Sequence, residues 1–112
     1  MRIAARRLDL AIALLGLCAV TFPAASEPAL EAGRQTELRH LLKQDCGSCH
    51  GMTLKGGLGP ALLPANLEGK PDELLVISIL DGRPGTAMPP WRGLLTETEA
   101  QWLVDQLREG VE

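Results

Sequence analysis

The sequence predicts a small all-α domain, and three observations carry that prediction. Two apolar stretches in the second half stand between helix punctuation: Pro71, Asp72 and Glu73 before one with Gly82 after it, Thr96 and Glu99 opening the other with Gly110 beyond it. Nothing ahead of residue 46 reads as a strand. Between these regions, Cys46-Gly47-Ser48-Cys49-His50 has the C-x-x-C-H spacing of a covalent haem attachment site. Two thiols one helical turn apart can each add to a porphyrin vinyl group, which forces the adjacent histidine under the iron as an axial ligand. The expected architecture is therefore a set of helices wrapped around one covalently bound haem.

The amino terminus reads as an export signal. Arg2, Arg6 and Arg7 precede an apolar run from Leu10 to Phe22, and the small residues Ala24, Ala25 and Ser26 follow, which places cleavage after Ser26. Asp9 limits the apolar stretch to about a dozen residues, short of the roughly 20 that span a bilayer, so a retained anchor is disfavoured. The flanks of Arg6-Arg7 fit the twin-arginine signal poorly, and bulky Leu17 ahead of Cys18 argues against a lipoprotein. Residues 1–26 are thus assigned to a signal peptide and 27–112 to one periplasmic domain.

Removing that segment leaves eight basic and thirteen acidic residues. Such a balance excludes non-specific nucleic-acid binding. The two remaining cysteines are both in the pentapeptide, so no structural disulfide is left to propose. The only remaining aromatics are Trp91 and Trp102. A chain of about 86 residues has a marginal core, and a porphyrin would supply the missing apolar volume. The chain without haem is expected to fold poorly.

The first helix is expected from Pro28 to Gln44, with Leu30, Leu38, Leu41 and Leu42 at helical spacing. Gly33 within it costs about 1 kcal/mol relative to Ala; a close helix crossing or simple tolerance would each account for it. Leu74 to Leu80 could suit a buried strand, but its flanks favour a helix beginning at Pro71. In the third helix, Thr96 and Glu99 form a capping box and Ala100, Leu103, Val104 and Leu107 an apolar face, expected to pack across the first helix. The Gly- and Pro-rich stretches Gly51 to Pro64 and Gly82 to Gly93 are long for so small a chain, and loops of that length are usually functional. They are expected to wrap the two haem faces.

Other uses of the pentapeptide fit less well. A thioredoxin-like pair would follow a strand, and a zinc site would need Cys46, Cys49, His50 and His40 to converge tetrahedrally although Cys49 and His50 are adjacent. A Cys46 to Cys49 disulfide would close a strained loop for little entropy. With His50 on one face of the iron, Met88 in a rigid Met-Pro-Pro turn is the expected ligand on the other, the alternative being a packing role. Met52 is too close to His50, and His40 reads as a surface or packing residue. A soft thioether ligand favours ferrous iron and leaves no open position, so the site should pass single electrons. The Pro60 carbonyl is the expected acceptor for the second ring N–H of His50, unless Pro60 merely stiffens its loop. Trp91 is expected on the haem edge, directing its indole N–H at a propionate or simply packing, with Arg92 beside it as a further haem-binding residue. Lys55, Arg83 and Arg92 could form a basic rim that steers docking, or be scattered solvated charges.

Cys46 to Gly51, Gly59-Pro60, Met88-Pro89 and the capped last helix together resemble the small class I bacterial monohaem cytochromes c over essentially the whole mature chain. The resemblance implies the class I cytochrome c fold, thioether links at Cys46 and Cys49, and His50 and Met88 as axial ligands. Such proteins often carry an aromatic near the position of Gln106, whereas this chain has Trp102. Asp45 to Leu62 and Gly82 to Trp91 resemble, more narrowly, the NirC-type cytochromes c-55X associated with denitrification. That likeness implies electron donation to a nitrite reductase carrying haem c and haem d, or a part in making its haem d. The leading expectation is a monomeric electron carrier between a membrane-side donor and that reductase, not an enzyme. An assembly factor for haem d and a haem protein with an open iron site are the alternatives.

Overall fold

The computed structural model describes residues 20–24 and 28–111. The expected cleavage point after Ser26 and most of the apolar run before it lie outside the described residues. Five α-helical segments follow one another: α1 (Ala32–Leu41), α2 (Gly47–His50), α3 (Pro64–Leu67), α4 (Asp72–Asp81) and α5 (Glu97–Glu109). No strand forms among the described residues. A π-helical turn, Leu42–Cys46, joins α1 to α2, so one helical run extends from Ala32 to His50.

That run differs from the expected helix at both ends. It begins at Ala32 and not at Pro28, because the chain around Glu31 is still extended, at φ −60° and ψ 145°. It continues past Gln44 through the pentapeptide. At the wide turn the Gly47 N–H reaches back five residues to the Leu42 carbonyl. Single wide turns of this kind are frequent at functional sites. Gly33 has open space where a side chain would stand, so no close crossing accounts for it.

Helix α4 starts one residue after Pro71 and ends at Gly82, which has φ 68°. Helix α5 has the expected box: the Glu99 N–H donates to Thr96 Oγ1 at 3.2 Å, and the Thr96 N–H donates to Glu99 Oε2 at 2.8 Å. Ala100, Leu103, Val104 and Leu107 of α5 are buried with Leu38 and Leu42 of the first run and Val76 and Leu80 of α4. Helix α5 packs most extensively along α4 and crosses α1 more sparely. The crossing is fixed by an ion pair between Arg34 and buried Glu99. Arg108 clamps the other end of α5, donating to Asp72 Oδ1 at 2.8 Å and to the Lys70 carbonyl at 2.6 Å.

Candidate functional site

Cys46, Cys49 and His50 lie within two turns at the end of the first helical run, which the packing of Leu38 and Leu42 holds against α5. Both thiols are free and half-buried. Burial, then the charge of Asp45, pushes the Cys46 thiol up to about 11, so it is protonated at neutral pH. His50 is buried, and its Nδ1 lies 2.7 Å from the Pro60 carbonyl oxygen. A carbonyl can only accept, so Nδ1 carries the proton and Nε2 presents a lone pair, the form a metal binds.

The loop after His50 is stapled across the helix end. The Gly56 N–H donates to the His50 carbonyl and the Gly59 N–H to the Cys49 carbonyl, both at 2.8 Å. Leu54 takes the left-handed conformation at φ 57°, held by a buried side chain and by hydrogen bonds through both its N–H and its carbonyl. Holding a branched residue there costs on the order of 1 kcal/mol. Gly59 lies so close to the imidazole that a Cβ would stand 2.8 Å from its Cε1 and Nδ1. The missing side chain at 59 is thus what lets the Pro60 carbonyl reach the ring.

The second loop is tied to α4. The Trp91 and Arg92 N–H groups donate to the Leu80 carbonyl at 3.0 and 2.9 Å, satisfying the open end of the helix. The Arg83 N–H donates to the Met88 carbonyl at 3.2 Å, closing a compact turn that leaves Met88 half-buried. At Gly82, with φ 68°, a Cβ would meet the Met88 carbonyl at 2.6 Å, so only glycine fits under that turn. Trp91 packs against the core. Arg92 instead turns to α4, its Nε bonding Asp81 Oδ1 at 2.6 Å, and this pair holds the Asp81 carboxyl below its usual range. The positive charge of Arg92 is thereby largely spent within the protein. The Asp81 pairing links residues eleven apart, a long-range choice with no local sequence signal.

Haem fits these residues. Two free thiols stand beside a histidine whose Nε2 is unengaged, and α4 carries Leu74 and Ile77, 49% and 53% exposed, among its otherwise buried or half-buried apolar residues. Apolar side chains that the protein covers only by half suit a flat apolar group.

The helical fold and this motif together define a class I c-type cytochrome. Residues 33–106 match the family described as cytochrome C oxidase, cbb3-type, subunit III. The chain is 57% identical to cytochrome c55X of Pseudomonas aeruginosa, over 97% of its own length and 90% of the relative's. The solved structure of the c-type cytochrome NirC superposes with a TM-score of 0.70 and 64% identity, covering 71% of this chain and 94% of that one. A second, dihydro-heme d1 dehydrogenase NirN in complex with DHE, gives a TM-score of 0.59 and 38% identity over 64% of this chain and 16% of that one. The chain belongs to the cytochrome c55X family of haem-binding electron carriers. Among its described residues no helix is long and apolar enough to cross a membrane.

Proposed function

We propose that this protein is a periplasmic single-electron carrier with one haem c, joined to Cys46 and Cys49, and with His50 and Met88 as the iron ligands. The haem supplies the one-electron couple. His50 would hold one side through Nε2 while the Pro60 carbonyl keeps its ring oriented and basic. Met88 would supply a thioether from a turn fixed by Gly82, Arg83 and the two prolines after it, so little rearranges when the charge changes. Trp91 and Arg92 complete the proposed haem surroundings, Arg92 through its bond to Asp81. Export follows from the signal peptide read in residues 1–26, with residues 27–112 as the carrier domain.

The observation that carries this reading is the 2.7 Å contact between His50 Nδ1 and the Pro60 carbonyl. The deciding measurement is the spectrum of the ferric holoprotein. A sulfur-to-iron charge-transfer band is expected, and Met88→Ala should abolish it and open the iron to added ligands; a high-spin wild-type spectrum would refute Met88. Gly59→Ala should disturb the His50 contact and broaden or shift the low-spin signal.

The family likeness supports a nitrite reductase carrying haem c and haem d as the electron acceptor, with a membrane-side donor. The likeness to part of NirN favours one second reading, a redox-active assembly factor for haem d. Deleting the gene separates them. A complete reductase starved of electrons is the carrier's result, and a reductase lacking haem d is the assembly factor's.

A further inference from the structure

The clearest concentration of unpaired positive charge is not in the haem-wrapping loops. Arg39, His40 and Lys43 follow one another along the end of α1 and into the π-helical turn, and they line a groove of about 410 Å³ whose other wall is the end of α5, with Gln106 and Val111. Buried Leu42 and half-buried Val111 give it an apolar floor. The Arg39 guanidinium lies 5.2 Å from the Trp102 ring centroid, a cation–π contact that holds it at the rim without neutralising it.

Among the described residues the ion pairs involve Arg34, Arg92 and Arg108, and neither Arg39 nor Lys43 forms one. No carboxylate lines the groove: Glu37 is paired with Arg34, while Asp45, Asp105 and Glu109, the last two bonded only to the neutral amides of Gln101 and Gln106, keep their charges outside its lining. The lining of this concave, partly apolar site therefore carries the two cations and no acid, on a chain of net charge −3.

We infer that this groove docks an acidic, extended segment of a protein partner, with carboxylates on Arg39 and Lys43 and an apolar side chain over Leu42 and Val111. A planar anionic membrane is the poorer match, because the surface is concave and the acidic chain as a whole would be repelled. Lys43 precedes Cys46 by three residues on one helical run, so a partner held here sits beside the haem attachment segment. The inference does not depend on which protein accepts the electron.

The test is an NMR titration of isotope-labelled holoprotein with a short synthetic peptide of glutamates interspersed with leucines, and separately with vesicles rich in anionic lipid. Peptide-induced shifts should concentrate at Arg39 to Lys43, Gln106, Gly110 and Val111 and weaken steeply with added salt. Arg39→Glu combined with Lys43→Glu should lose about tenfold or more in affinity, whereas Lys55→Glu combined with Arg83→Glu should change it less than about twofold. Should the glutamates disturb folding, judged by the haem spectrum, Arg39→Gln with Lys43→Gln makes the same comparison. Equal losses in both pairs, shifts spread over every cation, no peptide shifts at the groove, or binding to vesicles alone would each overturn the inference.

Discussion

Helices α4 and α5 lie along one another yet meet water in opposite ways. Helix α5 has one apolar face, Ala100, Leu103, Val104 and Leu107, all buried, and a polar face opposite. Helix α4 buries Val76 and Leu80 in the shared core but leaves Leu74 and Ile77 half exposed. Its amino end has no side-chain cap, whereas α5 begins with a complete capping box. The difference teaches which part of the fold is self-sufficient. Helix α5 is complete within the polypeptide, while α4 keeps apolar surface that the polypeptide leaves half exposed and for which we propose the haem as cover.

The largest effect should come from removing that cover. In Cys46→Ala with Cys49→Ala, which cannot hold haem covalently, α4 amides should lose most of their hydrogen-exchange protection while those of α5 retain a larger share. Equal protection in both helices, with or without haem, would erase the distinction. Core substitution comes next. Leu103→Ala should cost about 2–5 kcal/mol in the holoprotein, measured by denaturant unfolding. Ile77→Ser should cost about 1–2 kcal/mol there, in line with covering half an isoleucine, and almost nothing in the haem-free chain. A similar cost in both forms would mean that protein, not haem, covers Ile77.

Much of this contrast was legible in the sequence. The capping box at Thr96 and Glu99, the flanks of α4 and the C-x-x-C-H spacing are local signals, and local signals survive without a structure. The all-round apolar character of Leu74 to Leu80, which leaves helix and strand in competition, matches a helix with more apolar surface than the polypeptide buries. The π-helical turn at Leu42–Cys46, the short helix Pro64–Leu67 and the Arg108 clamp on Asp72 went unread. Each depends on partners brought together only by the fold. The same holds for the charges: neither the Asp81 partner of Arg92 nor the groove of Arg39 and Lys43 is encoded at any fixed spacing.

Capping offers a finer probe. Thr96→Ala should lower stability by about 1 kcal/mol, and because α4 has no comparable side-chain cap, Pro71→Ala should cost less. A larger loss at Pro71 would reverse the ranking of the two helix starts.

The smallest effect concerns acid. Arg34, and after it the Thr96 backbone N–H, holds the Glu99 carboxyl below its usual range, and Arg108, then Gln101, does the same for Asp72. Both groups therefore bind protons more readily in the unfolded chain, so stability rises with pH across their titration. Their contribution is complete above the unfolded values of about 4.3 and 3.9 and is lost as pH falls through the lower folded values. Thermal stability should be level from pH 7 to about 5 and decline below about 4, read only where the low-spin haem spectrum persists. Glu99→Gln should flatten that decline more than Asp72→Asn, because the Glu99 side chain is 11% exposed and the Asp72 side chain 42%, where water and salt screen its pair. An equal or greater flattening by Asp72→Asn would place the stronger electrostatic tie on α4 and not at the capped start of α5.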